Sequence, residues 1–147
     1  MTPEELKILE KAYKCQEKGQ IKDAAYYYQS FIDKGLTDYR ILSNYALIKE
    51  QLGETKEAIS LNKRSIELFP KVIYPYLNLG NLYIRERKLI EGEKIMNKLL
   101  KIEPKCAEAY LILGKILKTN KKYELSIQDH IKLVDFCKKQ KIKFLSS

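Results

Sequence analysis

The stretch that decides the fold is IYPYLNLGNLYIRERKLIEGEKIMNKLLKIEPKC, residues 73–106. Its apolar side chains recur at helical spacing on both sides of a break at 86–88, and the period-2 alternation of a strand is absent. Gly80 and Gly92 lie one on each predicted helix, where glycine costs about 1 kcal/mol relative to alanine. We therefore expect these glycines to allow two antiparallel helices to approach closely.

The same pattern recurs along the chain every 34 residues, without any insertion. Gly80 is matched by Gly114, and Pro70 is matched by Pro104. Four units follow from this spacing, each a predicted pair of antiparallel helices, with a short basic tail at 141–147. The units are 5–38, 39–72, 73–106 and 107–140, with breaks expected at 18–20, 52–54, 86–88 and 120–122. The sequence therefore predicts an all-α chain of eight helices.

Small residues are expected at the crossing point of each helix pair. They occur twelve positions apart in every unit, one on the first helix and one on the second. Small side chains at these places let the two helices of a pair pack closely. The pairs are Ala12 with Ala24, Ala46 with Ala58, Gly80 with Gly92, and Gly114 with Ser126.

The chain resembles the tetratricopeptide repeat (TPR) family from residue 5 to about 140. Lys11, Leu36 and Lys49 depart from the family pattern, which places apolar residues or proline there. The resemblance implies an α-α superhelix whose first helices line a concave groove that binds a peptide or a partner domain. The third unit carries the family's series of aromatic, Leu-Gly, Tyr, small, bulky and Pro residues most clearly, at Tyr76, Leu79-Gly80, Tyr83, Gly92, Met96 and Pro104.

Charge and composition limit the classes of function that the chain can have. The 147 residues carry 28 basic and 19 acidic side chains, for a net charge of +9. Residues 115–147 hold nine of the basic and three of the acidic side chains, so the excess lies at the C-terminal end. Such a patch attracts nucleic acid, anionic membrane or an acidic protein. No apolar run approaches the roughly 20 residues of a membrane-spanning helix.

The inventory of reactive side chains points away from catalysis. His130 is the single histidine, so no Ser/His/Asp or Cys/His set is expected, and we read it as a packing residue. Cys15, Cys106 and Cys137 form no CxxC pair. We therefore predict no enzyme activity, no metal and no cofactor. Reduced, partly buried thiols are typical of a cytoplasmic protein.

The resemblance implies a set of side chains turned into the groove. Asn44 and Asn78 are equivalent, and a side-chain amide can both donate to and accept from a peptide backbone. In the TPR arrays of O-linked glycosyltransferases, a ladder of such asparagines holds an extended chain. The expected peptide-binding residues are Tyr13, Arg40, Asn44, Leu47, Tyr74, Leu77, Asn78, Asn81, Ile84, Arg85, Lys115 and Lys118. Leu9, Ser43, Leu111 and Ile112 are also expected to face inward.

Charge along this groove favours a dipolar ligand. Glu10, Glu17 and Glu50 come early in the chain, whereas Arg85, Lys115 and Lys118 come late. A peptide that is basic at one end and acidic at the other would complement this order. The chaperone-type clamp for a C-terminal carboxylate is not expected, because the cations that it needs are missing from the neighbouring repeats.

Three functions remain open at this point. The first is a non-enzymatic adaptor or scaffold that binds a peptide or partner protein. The second is a substrate-recruiting or regulatory segment of a larger enzyme, such as a glycosyl- or sulfotransferase. The third is nucleic-acid association through Lys115, Lys118, Lys121, Lys122, Lys138, Lys139, Lys141 and Lys143. Homodimerisation is a further expectation, because the apolar last helix has no separate capping helix after it.

Overall fold

A computed structural model of the chain describes residues 1–120 and 127–139. Within these ranges it holds eight helices and no strand, as predicted. The helices are α1 (Pro3–Glu17), α2 (Ile21–Asp33), α3 (Tyr39–Gln51), α4 (Thr55–Leu68), α5 (Tyr74–Arg85), α6 (Leu89–Ile102), α7 (Ala107–Thr119) and α8 (Ile127–Lys139). The first three predicted breaks separate helices as expected. The fourth break in part, Ser126, and the basic tail at 141–147 lie outside the described residues, and so does the predicted packing of the His130 side chain.

The first helix begins at a capping box, which the sequence predicts from Thr2 and Glu5. The Glu5 backbone N–H donates to Thr2 Oγ1 at 3.2 Å, and the Thr2 backbone N–H donates to Glu5 Oε2 at 2.7 Å. Pro3 occupies the first turn, where its missing N–H leaves no hydrogen bond unmade. The carboxylates of Glu4 and Glu5 also lie at the positive end of the helix dipole. Local chemistry therefore defines the start of α1.

The first helices of three pairs, α1, α3 and α5, end in the same backbone arrangement. After α3, the Gly53 N–H donates to the Glu50 carbonyl at 3.0 Å, and the Glu54 N–H donates to the Lys49 carbonyl at 2.8 Å. This pair of hydrogen bonds is a Schellman motif, which places the residue after the C-cap in the left-handed region. Gly19 and Gly53 have φ of 74° and 77°, and at the third site the motif closes on Arg87 with φ 59°.

The chain divides into two compact units, and the first unit covers Met1–Pro75. Amphipathic faces of α1, α2 and α3 meet in its core, because their apolar side chains recur every three to four residues. Ala12, Ala24, Ala46 and Ala58 are each exposed by at most 1%. The predicted small residues of the first two pairs are thus buried as expected. The core cluster consists of Leu9, Ala12, Ala24, Tyr28, Phe31, Ile41, Tyr45 and Ile48.

The second unit covers Tyr76–Ser147, and its glycines divide into two kinds. A Cβ added to Gly80 would lie 2.7 Å from Met96 Cε and 3.2 Å from Ile112 Cγ2, and one on Gly92 would lie 3.0 Å from Ile116 Cδ1. The predicted close approach within the pair is confirmed at Gly80, since Met96 belongs to α6; at Gly92 the tight contact is with Ile116 of α7, whereas Tyr83 Cβ of α5 lies at 3.4 Å. At Gly114 an added Cβ would meet no described atom within 4 Å, and its expected partner Ser126 lies outside the described residues, so close packing of that pair stays a prediction. Gly114 lines a cavity.

The three thiols are free, with Cys15 half-buried and Cys106 and Cys137 buried. The expected burial or partial burial of the three thiols is therefore confirmed. Among residues 1–120 and 127–139, no group of three or more His, Cys, Asp or Glu side chains gathers where it could hold a metal ion. In the same ranges, no helix is both long and apolar enough to cross a bilayer.

Candidate functional site

The twelve predicted peptide-binding residues all lie on the first helices of the pairs, and none of them is fully buried. Tyr13 is on α1, and Arg40, Asn44 and Leu47 are on α3. Those on the later helices are Tyr74, Leu77, Asn78, Asn81, Ile84 and Arg85 of α5, and Lys115 and Lys118 of α7. The helical period places them on the side of each helix opposite its buried face.

Three neighbouring residues that were also expected to face inward are buried instead. Leu9 is 9% exposed, Ser43 is 5% exposed and Ile112 is 5% exposed. Each lies about 100° around its helix from an accessible candidate, so a modest rotation of the helix decides which of the two reaches solvent. Leu111, the neighbour of Ile112, remains 48% exposed. The prediction for Leu9, Ser43 and Ile112 was therefore wrong.

In the first unit, the accessible residues lie beside a network of tyrosine hydroxyls and amides. The buried Tyr28 of α2 donates its hydroxyl proton to Gln16 Oε1 at 2.7 Å, and Asn44 forms a second hydrogen bond with that hydroxyl. The ring of Tyr13 lies 6.4 Å from that of Tyr28, between centroids. Burial, with a smaller contribution from Tyr13, raises the pKa of Tyr28, so its hydroxyl remains protonated.

This network holds the candidate Asn44 in place. A side-chain amide has two donor hydrogens and one acceptor oxygen. The hydrogen bond to Tyr28 uses part of that capacity, and the rest remains for another partner. This arrangement was not predicted from the sequence, because the position of Tyr28 on α2 has the pattern of an ordinary apolar core residue. The feature that could have indicated it is a tyrosine at a position expected to be buried, because a buried tyrosine hydroxyl usually needs a hydrogen-bond partner.

Arg40, the candidate cation of the first unit, is paired with a neighbour. Its Nε and Nη2 donate to the two carboxylate oxygens of Asp38 at 3.0 Å and 2.9 Å. Asp38 is also the N-cap of α3 and accepts the Arg40 backbone N–H at 2.8 Å. Hydrogen bonds from Arg40 hold the pKa of the Asp38 carboxyl below its usual value. Arg40 therefore offers a ligand less net positive charge than an isolated arginine would.

Lys49 stands where the family pattern has an aromatic residue, and the structure shows its role. Its ammonium nitrogen lies 5.3 Å from the centroid of the Tyr45 ring and pairs with the carboxylate of Glu54. The Tyr45 hydroxyl in turn donates to Gln29 Oε1 at 2.7 Å. The lysine therefore covers a core tyrosine with its stem and charge, in place of the expected ring.

In the second unit, α5 and α7 present their accessible residues on one side. Three consecutive helices with short connections alternate in direction, so α5 and α7 run parallel with α6 between them. They approach each other where Gly80 faces Ile112. From that contact, the helical period turns the accessible residues of both helices to the same side. This α5–α7 face comprises Leu77, Asn78, Asn81, Ile84 and Arg85 of α5, and Leu111, Lys115 and Lys118 of α7.

Asn78 differs from its counterpart Asn44 in how its amide is used. The Asn78 Nδ2 atom is buried and has no hydrogen-bond partner among the described residues. An unmade hydrogen bond to a buried amide costs about 1–3 kcal/mol. Asn44 lies in the first unit with its bond to Tyr28, and Asn78 lies in the second unit with this donor unused.

A cavity in the second unit was not anticipated from the sequence. It measures about 250 Å³ and lies where α6, α7 and α8 meet. Four of the nine residues that line it are leucines, and Gly114 lines it on α7. The lining residues are Glu93, Asn97, Leu100, Tyr110, Leu113, Gly114, Leu117, Lys132 and Leu133. None of them belongs to the predicted set.

Comparison with known proteins places this geometry in context. Residues 73–106 match the family model described as tetratricopeptide repeat. The human protein named Tetratricopeptide repeat protein 6 is 27% identical over 81 residues, which are 55% of this chain and 15% of that protein. The chain therefore aligns with a small part of that relative's length.

Two solved structures show the fold over most of the chain. A tetratricopeptide repeat protein from Parabacteroides merdae superimposes with a TM-score of 0.80 at 22% identity, over 92% of this chain and 54% of that one. The first TPR of Spaghetti (RPAP3), bound to the HSP90 peptide SRMEEVD, superimposes with a TM-score of 0.70 at 24% identity, over 79% and 92%. The fold class is thus the all-α superhelical repeat that the sequence predicts.

Proposed function

We propose that the chain, whose residues 73–106 match the tetratricopeptide repeat model, is a non-enzymatic interaction module of that family and binds a peptide or partner protein on its first helices. The observation that carries this proposal is the accessibility of all twelve candidate residues on α1, α3, α5 and α7. A solvent-accessible mixture of amide, apolar and cationic side chains suits the backbone, side chains and acidic groups of a polypeptide.

The two asparagines support this proposal in different ways. Asn44 is oriented by the Tyr28 hydroxyl before any ligand arrives, which lowers the entropy cost of binding. Asn78 has a donor that no described residue uses. Because that Nδ2 atom is buried, a ligand carbonyl reaches it only when the Asn78 side chain turns outward on binding, which would remove the penalty of leaving the donor unpaired.

The experiment is affinity capture from source lysate with the full chain, comparing wild type with the Asn44→Ala/Asn78→Ala variant. We expect wild type to retain a protein partner that the double variant loses, because the variant removes the candidate amide that each unit offers to a peptide backbone. Asn97→Ala is the matched control, since Asn97 is exposed on α6 and belongs to none of the candidate faces. The partner is then purified and its affinity measured with both variants.

Two readouts keep the result interpretable. Circular dichroism melts establish that the double variant is folded, because loss of the Asn44 bond to Tyr28 also affects packing. A parallel capture after nuclease treatment identifies association through nucleic acid. Capture that survives the double substitution but vanishes with nuclease would contradict the proposal and assign function to the basic surface.

A further inference from the structure

We propose that the α5–α7 face of the second unit binds an internal acidic peptide segment that carries one large apolar side chain. The inference rests on the proposed function and names the partner chemistry for this face. It comes from three features that the face brings together: a cluster of cations, an exposed leucine and side-chain amides. Each feature restricts the class of ligand.

The cations collect at one end of the face. Lys115 and Lys118 are exposed on consecutive turns of α7, and Arg85 lies in the last turn of the parallel helix α5. Parallel helices bring these C-terminal turns to the same end of the unit. The only acidic residue on the exposed stripe of α7 is Glu108, in its first turn at the opposite end. The face therefore attracts carboxylates toward its Lys118 end.

The apolar part of the face lies next to the cations. Leu111 is 48% exposed, and the half-buried Leu77 and Ile84 of α5 lie on the same side of the Gly80–Ile112 contact. An exposed leucine beside other apolar side chains offers a place where a ligand side chain can lose its contact with water. The α5–α7 face therefore favours a ligand that has one bulky apolar side chain near its acidic groups.

The helix geometry sets the spacing of the ligand. Leu111 precedes Lys115 by four residues and Lys118 by seven, which are rises of about 6 Å and about 10 Å along α7. An extended peptide advances about 3.3 Å per residue. The acidic residues should therefore stand about two to three positions from the apolar residue of the ligand.

The side chains of the face favour a peptide over a nucleic acid. Single strands are held by basic grooves together with exposed aromatic rings on which the bases stack. None of the residues that define the α5–α7 face is aromatic: Tyr76 and Tyr83 are buried, Tyr110 lines the cavity on another side of α7, and the exposed Tyr74 at the start of α5 belongs to the first unit. Asn81 is exposed on α5, where its amide can pair with a peptide backbone.

The test selects ligands from a display library of random 12-residue peptides on the full chain. The best sequence is then synthesised with an amidated C-terminus and a fluorescent label, and its affinity is measured by anisotropy. We expect selected peptides to carry acidic residues two to three positions from a Leu, Ile, Phe or Tyr. We also expect binding to weaken severalfold between 50 mM and 200 mM salt, because exposed charges are screened.

The decisive variant is Lys115→Glu/Lys118→Glu, which should weaken binding by about tenfold or more. Its matched control is Lys98→Glu/Lys101→Glu, which we expect to change affinity by less than about twofold. Both pairs have the same spacing, are exposed and end in the last turn of a helix. A peptide whose acidic residues are changed to lysine should bind the reversed variant better than wild type, a rescue that damaged folding cannot produce.

The outcomes separate this inference from the proposed function. Enriched peptides that are neutral or basic, or that ignore the Lys115/Lys118 reversal, would overturn the inference and leave peptide binding intact. Loss of binding on amidation would also overturn it, since the ligand would then be a free C-terminus. Displacement of the peptide by a 12-nucleotide RNA at equal concentration would assign the face to nucleic acid. Absence of any enriched peptide would contradict both proposals.

Discussion

Arg87 holds a backbone conformation that glycine holds at the equivalent positions of the earlier repeats. Its φ is 59°, and it closes the same Schellman motif as Gly19 and Gly53. An L-residue in the left-handed region costs about 1–2 kcal/mol, because its Cβ crowds the following carbonyl oxygen. The repeat tolerates this cost because the two hydrogen bonds and the packing of α5 and α6 still require a tight turn there.

We predict that Arg87→Gly stabilises the protein by about 0.5–1 kcal/mol. Relief of the left-handed strain exceeds the greater chain entropy that glycine has in the unfolded state. The measurement is the free energy of unfolding by urea. The reciprocal change Gly53→Arg serves as the control and should destabilise by about 1 kcal/mol, since no described atom within 4 Å obstructs a side chain at Gly53 and only the φ of 77° opposes it. A stability loss from Arg87→Gly would contradict the strain argument.

At the scale of helices, Gly80 and Gly114 occupy equivalent positions in two repeats but have different surroundings. Gly80 lets α5 approach α6 and α7, because Met96 Cε and Ile112 Cγ2 occupy the space that a Cβ would need. Gly114 is one repeat later and lines a cavity of about 250 Å³, and an added Cβ there would meet no described atom within 4 Å. Glycine therefore occurs at both equivalent positions, although a close helix contact among described atoms is found only at Gly80.

We predict that Gly114→Ala raises the free energy of unfolding by about 1 kcal/mol, since alanine is the better helix former and nothing described stands in its way. Gly80→Ala should lower it by about 1–2 kcal/mol, because overpacking against the branched Ile112 exceeds the same helix gain. Thermal melts of both variants check this pair. Equal effects of the two substitutions would contradict the assigned packing.

At the scale of the whole molecule, the thiols are distributed over both compact units. Cys15 is half-buried in the first unit, whereas Cys106 and Cys137 are buried in the second. Burial also raises the pKa of the Cys106 thiol, which lowers its thiolate fraction further. Burial limits access of a reagent to the reactive thiolate. The reaction rate of each cysteine therefore reports whether its own unit is folded.

We predict that one thiol of the native protein reacts rapidly with Ellman's reagent at pH 8 and that the other two react slowly. Unfolding in guanidinium should make all three react rapidly, because burial is then lost. Cys15→Ser should remove the rapid phase and leave the slow one. A rapid native phase that persists in this variant would show that the second unit opens readily. Labelling across a denaturant series then measures whether both units unfold together.

The sequence by itself determined the helices, the first three breaks between them, the cap at Thr2 and the repeat of 34 residues. These features depend on local chemistry and on periodicity, which a single chain displays in full. It also identified the side of each first helix that stays accessible, because that side is opposite the apolar stripe. All twelve candidate residues remain at least partly accessible for this reason.

Only the tertiary structure decided what happens at the borders of those faces. Leu9, Ser43 and Ile112 are buried although their neighbours are accessible, because adjacent residues differ by 100° and small helix rotations select between them. The hydroxyl of Tyr28 reaches Asn44 from another helix, and Gly114 faces a cavity. Such contacts depend on distances between helices that lie far apart in the chain. Periodicity fixes which side of a helix packs, whereas interhelical distance and rotation fix which atoms meet.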